Sequence, residues 1–354
     1  MIFRPFLLAS ALTLLGACAS VGEVPGGGVA DGTSVADTAI SKLANANGFR
    51  GEIAISLGGD EDIQSRAFGP RAADQLWPWA SVTKQVVATL AMQQVGMGKM
   101  SLDEPVGRYV PRLAGSSVTW RELLQHRSPL PNPDEAGSSG DWPAFYTSDL
   151  PSTLDWCTNT LGEPLETGYS YNNCDYIVLG AALEMVTGHS LEKLVSDMIA
   201  GPAGLTGTRF LGGGGTLEFA GSDELYRKIL PRYGAAGGLV GPLSDMVRFD
   251  RALLAKRLLS DEPLQAMWTG DPALGYMALG QWAFAAPLAG CSGDVRIVER
   301  RGAIGKYQIR NLILPDSGII VAMATEQGED IFSFGEVWSG NGFTFDILSA
   351  VACQ

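Results

Sequence analysis

The sequence predicts an α+β fold in which a β-sheet is assembled from both ends of the chain and a helical lobe is inserted between them. Three observations carry this. Strand-like alternation in Gly51-Glu-Ile-Ala-Ile-Ser-Leu57 lies near the start. Strand patterns return after about residue 279, clearest in Ile309-Arg-Asn-Leu-Ile-Leu314 and Ile319-Ile-Val-Ala-Met-Ala324. Between them, over about 100–270, Pro and Gly break the pattern into short helical segments. The 354 residues allow one large domain or two modest ones, and the 46% hydrophobic content suits a packed globular chain.

The first seventeen residues read as an export signal. Arg4 supplies a positive n-region, Phe6 to Leu15 an apolar run, and Leu15-Gly16-Ala17-Cys18 a small-residue processing site. The apolar run is too short to span a bilayer as a mature helix. The site resembles the lipobox of bacterial lipoproteins, which implies a lipidated Cys18. With Ala19 next, it implies an outer-membrane protein facing the periplasm. An ordinary secretory signal is the alternative. Residues 18–37, with Pro25 and glycines at 26–28, form a tether, and the folded domain covers 38–354.

Within that domain a helix is expected near Ala39–Ala46, and the first strand is stopped by Gly58, Gly59 and Asp60. Val82, Val86, Val87, Leu90, Ala91 and Val95 recur at helical spacing until Gly96 and Gly98. Further helices are expected over Trp120–Leu124, Tyr176–Thr187, Leu243–Leu254 and near Phe345–Val351. The turn Pro315-Asp-Ser-Gly318 joins the last two strands. A cleft between sheet and lobe is the expected place for a site.

The net charge of −13 argues against a nucleic-acid partner and against attraction to an anionic lipid surface, so membrane attachment would be covalent, through Cys18. Four cysteines remain: Cys157, Cys174, Cys291 and Cys353. In an oxidising compartment they suggest disulfides. Of three connectivities, 157 with 174 and 291 with 353 each close a plausible loop, and four unpaired buried thiols are the alternative. His126 and His189 are not spaced with the cysteines or with each other as metal ligands would be, and no metal or organic cofactor is implied.

Ser81-Val82-Thr83-Lys84 carries the strongest chemical signal. At the start of a helix this spacing puts the two side chains one turn apart on one face. A serine hydroxyl needs a base to become a nucleophile. The positive end of the helix dipole and partial burial both disfavour the Lys84 ammonium and so free its lone pair. The same helix start offers backbone N–H groups, that of Ser81 included, to an oxyanion. Ser190-Leu-Glu-Lys193 has the same spacing but follows Gly188 and reads as a helix cap.

Trp79-Ala-Ser81-Val-Thr-Lys84 resembles the nucleophile motif of the serine β-lactamase-like hydrolases: class C β-lactamases, DD-peptidases and related esterases. Ordered matches continue through Gly98–Val106, Tyr109-Val-Pro111, Leu123-Leu-Gln-His126-Arg-Ser128, Tyr169-Ser-Tyr171-Asn-Asn173-Cys-Asp-Tyr176 and Ala235-Ala-Gly-Gly-Leu239. The resemblance implies an antiparallel sheet flanked by helices plus an all-helical lobe, with no cofactor. It implies that Tyr171 bonds Ser81 and relays protons, and that Asn173 orients Lys84 or a substrate amide. The family's third motif, Lys-Thr-Gly or His-x-Gly, aligns with Arg300-Arg301-Gly302. Arginine keeps the positive charge and can grip a substrate carboxylate with two donors, but gives up no proton. Gly302 lets the backbone approach a ligand, and the Ala303 N–H is the expected second oxyanion donor. An exposed, charged strand end at 299–301 is the alternative reading.

His126 lacks the Gly-x-Ser-x-Gly elbow of a Ser-His-Asp hydrolase, and a structural role bonding nearby loop backbone fits it better. Trp142, Phe145, Tyr146 and Trp156 suit either the cleft entrance or lobe packing. Two functions stand. One is an acyl-transfer enzyme on an ester or amide of a small molecule or peptide. The other is a cell-envelope binding protein that keeps the fold without the chemistry. The sequence leaves oligomeric state open.

Overall fold

The structure is a computed structural model that describes residues 35–58, 62–135, 137–139, 142–147, 152–162, 168–211 and 224–353. The signal segment, Cys18 and most of the tether lie outside the described residues. Helix α1, Val35–Ala46, begins four residues before the expected Ala39 and takes in the last three residues of the segment read as tether.

Six strands form one antiparallel sheet: β1 Gly51–Ser56, β2 Gln64–Phe68, β3 Trp282–Pro287, β4 Asp294–Ile304, β5 Tyr307–Leu314 and β6 Ile319–Thr325, in the order β2-β1-β6-β5-β4-β3. The chain ends meet at the β1–β6 pair, where Gly51 opposes Thr325 and Ser56 opposes Ile320. Every residue of β1, β5 and β6 is buried, so these central strands are covered on both faces.

One face is covered by α1 and by the C-terminal helix α5, Phe343–Ala352, over a cluster that includes Phe49, Phe332, Phe334 and Phe343. Against the other face lie α2, Thr83–Gly96, and α4, Leu243–Leu254. Helix α2 is buried on every side from Thr83 to Met92, as a helix running between two layers must be. Helix α3, Asn173–Thr187, starts three residues before the expected Tyr176 and stops at Gly188, whose φ of 70° suits a left-handed cap. It belongs to the lobe.

The span 100–270 is not purely helical. It contains short strands at Arg209–Phe210 and Leu239–Gly241, the latter paired with Trp77–Pro78, and α4 packs on β1 and β6 instead of in the lobe. The alternation of Met246, Val247, Phe249 and Leu253 with polar neighbours gives α4 the apolar stripe that a sheet face can bury. Disulfides join Cys157 to Cys174 and Cys291 to Cys353. The first ties the short helix Thr153–Cys157 to the first turn of α3, and the second ties the β3–β4 connection to the end of α5.

Candidate active site

Ser81 sits in a single 3-10 turn, Ala80–Val82, that leads directly into α2. The turn is pinned on both sides. Trp77–Pro78 pairs with Val240–Gly241, the Trp79 N–H donates to the Leu239 carbonyl at 2.8 Å, and the Trp79 indole donates to the Gly241 carbonyl at 3.1 Å. Ala80 has a φ of 45°, sparsely populated for a residue with a Cβ. Such local strain persists only where the surroundings fix it, and here it turns the chain sharply just before Ser81.

Lys84, fully buried one turn later, reaches three oxygens. Its Nζ lies 2.7 Å from Asn173 Oδ1, 2.6 Å from the Ala236 carbonyl and 3.1 Å from Ser81 Oγ. Burial holds its pKa well below the ordinary lysine value, and the Arg300 charge pushes it the same way, against the opposing pull of Asp134 and Asp175. A neutral amine has two hydrogens and one lone pair. Asn173 and Ala236 accept the hydrogens, which leaves the lone pair to Ser81 Oγ. The Tyr171 hydroxyl lies 2.5 Å from the same Oγ, and burial raises its pKa, so it is a phenol able to donate. Tyr171 and Asn173 flank Asn172, whose side chain caps α3 by accepting from the Cys174 N–H. A helix start therefore aims both residues at the cleft.

The third side is the edge of β4. Beyond Glu299, which opposes Trp282, β4 has no strand partner on its outer side among the described residues. The turn at Gly305–Lys306 makes Ile304 and Tyr307 the closing pair, so the backbone groups of 304 and 302 face β5 and those of 303 and 301 face outward, toward the nucleophile. A Cβ on Gly302 would stand 2.6 Å from the Trp79 carbonyl and 3.1 Å from Ser81 N, so only glycine lets the strand lie this close. Ser81 and Ala303 both line the same cleft, which agrees with the expectation for two oxyanion donors.

Arg300 is fully buried, and its Nε donates to the Ser81 carbonyl at 3.0 Å. Its Nη1 and Nη2 have no hydrogen-bond partner among the described residues. The guanidinium lies between the rings of Trp282, at 5.3 Å, and Tyr171, at 5.6 Å. Glu299 is also buried, bonded to Arg310 at 2.5 Å and Arg301 at 2.9 Å, so the reading of 299–301 as an exposed charged strand end is overturned. The resulting cleft, of about 370 Å³, is lined by Ser81, Tyr171, Asn173, Arg300, Gly302 and Ala303 together with Asp134 and Trp282.

Sequence reasoning missed Asp134 and the Ala236 carbonyl. Asp134 accepts from Asn173 Nδ2 at 3.2 Å, but its local context, Pro-Asn-Pro-Asp-Glu, reads only as a turn. Ala236 acts through a backbone oxygen, which carries no side-chain signal, although it falls inside the glycine-rich Ala235–Leu239 segment. His126 lies beneath Tyr171, its ring centroid 4.6 Å away. Its Nδ1 accepts from the Asn172 N–H at 3.3 Å and stands 3.1 Å from buried Asp175, with burial holding its pKa low. Ser190 caps the next helix by accepting from the Lys193 N–H. Phe145, Tyr146 and Trp156 pack the lobe, with Tyr146 stacked on Tyr233 at 3.7 Å.

Comparison with known proteins gives relatives that cover much of the chain. Esterase EstB of Burkholderia gladioli is 31% identical over 185 residues, covering 46% of this chain and 47% of that protein. Penicillin-binding protein 4 of Amycolatopsis lactamdurans is 27% identical over 293 residues, covering 72% and 73%. Among the other curated relatives the chain spans between 34% and 51% of their length. The D-amino acid amidase of Ochrobactrum anthropi SV3, solved with D-phenylalanine, superposes over 90% of this chain and 99% of its own with a TM-score of 0.72 at 22% identity, which shows a shared fold. The family model described as Beta-lactamase matches residues 28–338, and the chain belongs to that family.

Proposed function

We propose that this protein is a serine hydrolase that forms an acyl-enzyme on Ser81. The observation that carries the reading is the position of Lys84 Nζ, 2.7 Å from Asn173 Oδ1, 2.6 Å from the Ala236 carbonyl and 3.1 Å from Ser81 Oγ; a neutral amine there gives its two hydrogens to the first two and turns its lone pair to Oγ. Ser81 Oγ attacks an ester or amide carbonyl carbon while its proton passes to Lys84 Nζ. The carbonyl oxygen, now negative, lies between the Ser81 and Ala303 N–H groups. As the bond to the leaving oxygen or nitrogen breaks, that atom takes a proton. The Lys84 ammonium and the Tyr171 phenol, both bonded at Oγ, are the donors within reach. Water then attacks the acyl carbon, its proton passing to Lys84; the bond from that carbon to Ser81 Oγ breaks, Oγ takes the proton back and the acid is released.

The Nη groups of Arg300, without a hydrogen-bond partner among the described residues, support a substrate that carries a carboxylate near the scissile bond, because a buried guanidinium matches a planar two-oxygen anion. Together with relatives named as an esterase and a penicillin-binding protein, and the D-amino acid amidase with the same fold, this favours small esters or peptides of D-amino acids. The order Leu15-Gly16-Ala17-Cys18 supports a lipid-anchored protein of the bacterial envelope, the folded domain facing the periplasm.

Intact mass after exposure to a fluorophosphonate, and separately to a penicillin, tests the reading. An adduct that disappears in Ser81→Ala is expected from the fluorophosphonate. No adduct from either reagent on folded protein would refute it and favour the binding-protein alternative.

A further inference from the structure

We propose that Asp134 is a positioning residue for the base, holding the Asn173 amide with its oxygen, and not its NH2 group, turned toward Lys84. The inference rests on the reading of Ser81 and Lys84 as nucleophile and base. The two ends of an asparagine amide have nearly the same shape, so packing alone does not choose between them and hydrogen-bond partners must. A carboxylate only accepts, and Asp134 Oδ2 and Oδ1 lie 3.2 and 3.4 Å from Asn173 Nδ2. That contact assigns the NH2 to Asp134 and the oxygen to Lys84.

The turn that carries Asp134, Pro133–Glu135, is itself tied to the same segment. Asn132 donates to the Tyr171 carbonyl at 3.2 Å and accepts from the Asp134 N–H at 3.2 Å. Asp134 is therefore held in register with Tyr171 and Asn173. A flipped Asn173 would point an N–H at Lys84 Nζ. Toward the ammonium that contact is repulsive, and toward the neutral amine it occupies the lone pair that must take the Ser81 proton.

The charge of Asp134 acts as well. Around Lys84 stand Arg300 from β4, Asp134 from this turn and Asp175 from α3, with Tyr171, Tyr176 and His126 closing the remaining sides. Arg300 disfavours the ammonium, while the two carboxyl groups favour it. Burial raises the Asp134 pKa, against the pull of Lys84 and the Asn173 hydrogen bond; where the carboxyl is ionised, removing its charge moves the deprotonation of Lys84 to lower pH.

The test is the rate of Ser81 labelling by a fluorophosphonate against pH, in the full chain and in Asp134→Ala and Asp134→Asn. The probe carries no ammonium, carboxylate or peptide group, so a role for Asp134 in gripping substrate does not register. Asp134→Ala is expected to label about 100-fold more slowly on the plateau, the scale of a misplaced catalytic group, with its acid limb moved to lower pH. Asp134→Asn keeps an oxygen that can accept from Asn173. It is expected to label about tenfold faster than the alanine variant, with the limb moved the same way. A folded alanine variant labelling within about threefold of wild type would overturn the inference. If that variant shows no cooperative thermal transition, Asp134→Asn decides: plateau labelling about tenfold slower than wild type supports the proposal, and labelling within about threefold of wild type overturns it. A wild-type chain that takes no label overturns the hydrolase reading and this one with it. A labelled wild type with indifferent Asp134 variants overturns this inference alone.

Discussion

Gly302→Ala is the sharpest test of how the strand edge and the nucleophile turn share one space. The added Cβ would stand 2.6 Å from the Trp79 carbonyl oxygen, whereas ordinary contact begins at 3.4 Å, so about 0.8 Å must be found by moving β4 or the turn. Neither yields cheaply. The turn is pinned by Trp79 to Leu239 and Gly241, and β4 is paired with β5 throughout the region. The displacement separates the Ser81 and Ala303 N–H groups, and losing one oxyanion donor costs roughly 100- to 1,000-fold in turnover. Overpacking of this kind also costs about 1–3 kcal/mol of stability. The assay is hydrolysis of a chromogenic D-amino acid ester, with kcat and KM separated, beside a thermal melt. The expected pattern is a kcat lowered at least about 100-fold in protein that still unfolds cooperatively. A folded variant within about threefold of wild type would show that the strand edge is not part of the oxyanion site.

Activity should fall as pH drops through the Lys84 pKa, because the protonated amine cannot take the serine proton. Burial and Arg300 place that limb well below the ordinary lysine value, and a pH–rate profile with its only acid limb near 10 would contradict the assignment. Arg300→Lys keeps one charge but loses the Nε bond to the Ser81 carbonyl and the paired Nη donors. It should cost carboxylate-bearing substrates about 1.5–3 kcal/mol of transition-state binding relative to neutral esters, and equal losses for both would remove the carboxylate role. Replacing both cysteines of a pair by serine should lower stability by about 3 kcal/mol for Cys157–Cys174 and about 4 kcal/mol for Cys291–Cys353, since they close loops of 17 and 62 residues. Denaturant melts measure this. Turnover should fall only for the first pair, because Cys174 adjoins Asn173.

The strands and helices that read clearly from the sequence are those whose burial is periodic or continuous, such as β5 and β6 and the stripe along α4. Strand β2, Gln-Ser-Arg-Ala-Phe, gave no such signal. It lies at the sheet edge, buries only Phe68 fully and takes its place by pairing with β1. The starts of α1 and α3 fell a few residues earlier than expected, because Ala36 is buried in the cluster under the sheet and Asn172 caps α3, neither of which apolar spacing records.

The sequence by itself determined that Ser81 and Lys84 stand together. Ser81 and Lys84 are three residues apart at a helix start, and helical geometry places them together whatever the rest of the chain does. It also marked Tyr171, Asn173 and Gly302 through their motifs. Only the tertiary structure decided what these groups do to one another. Asn173 reaches Lys84 across 89 residues, and Arg300 reaches the Ser81 carbonyl across 219. Those contacts exist because the sheet closes β1 onto β6 and brings the edge of β4 against the turn before α2. Burial there lowers the Lys84 pKa, hides Arg300 from solvent and recruits the Ala236 carbonyl and Asp134. A backbone oxygen has no residue type to betray it, and an aspartate in a turn looks like any other until its neighbours are known.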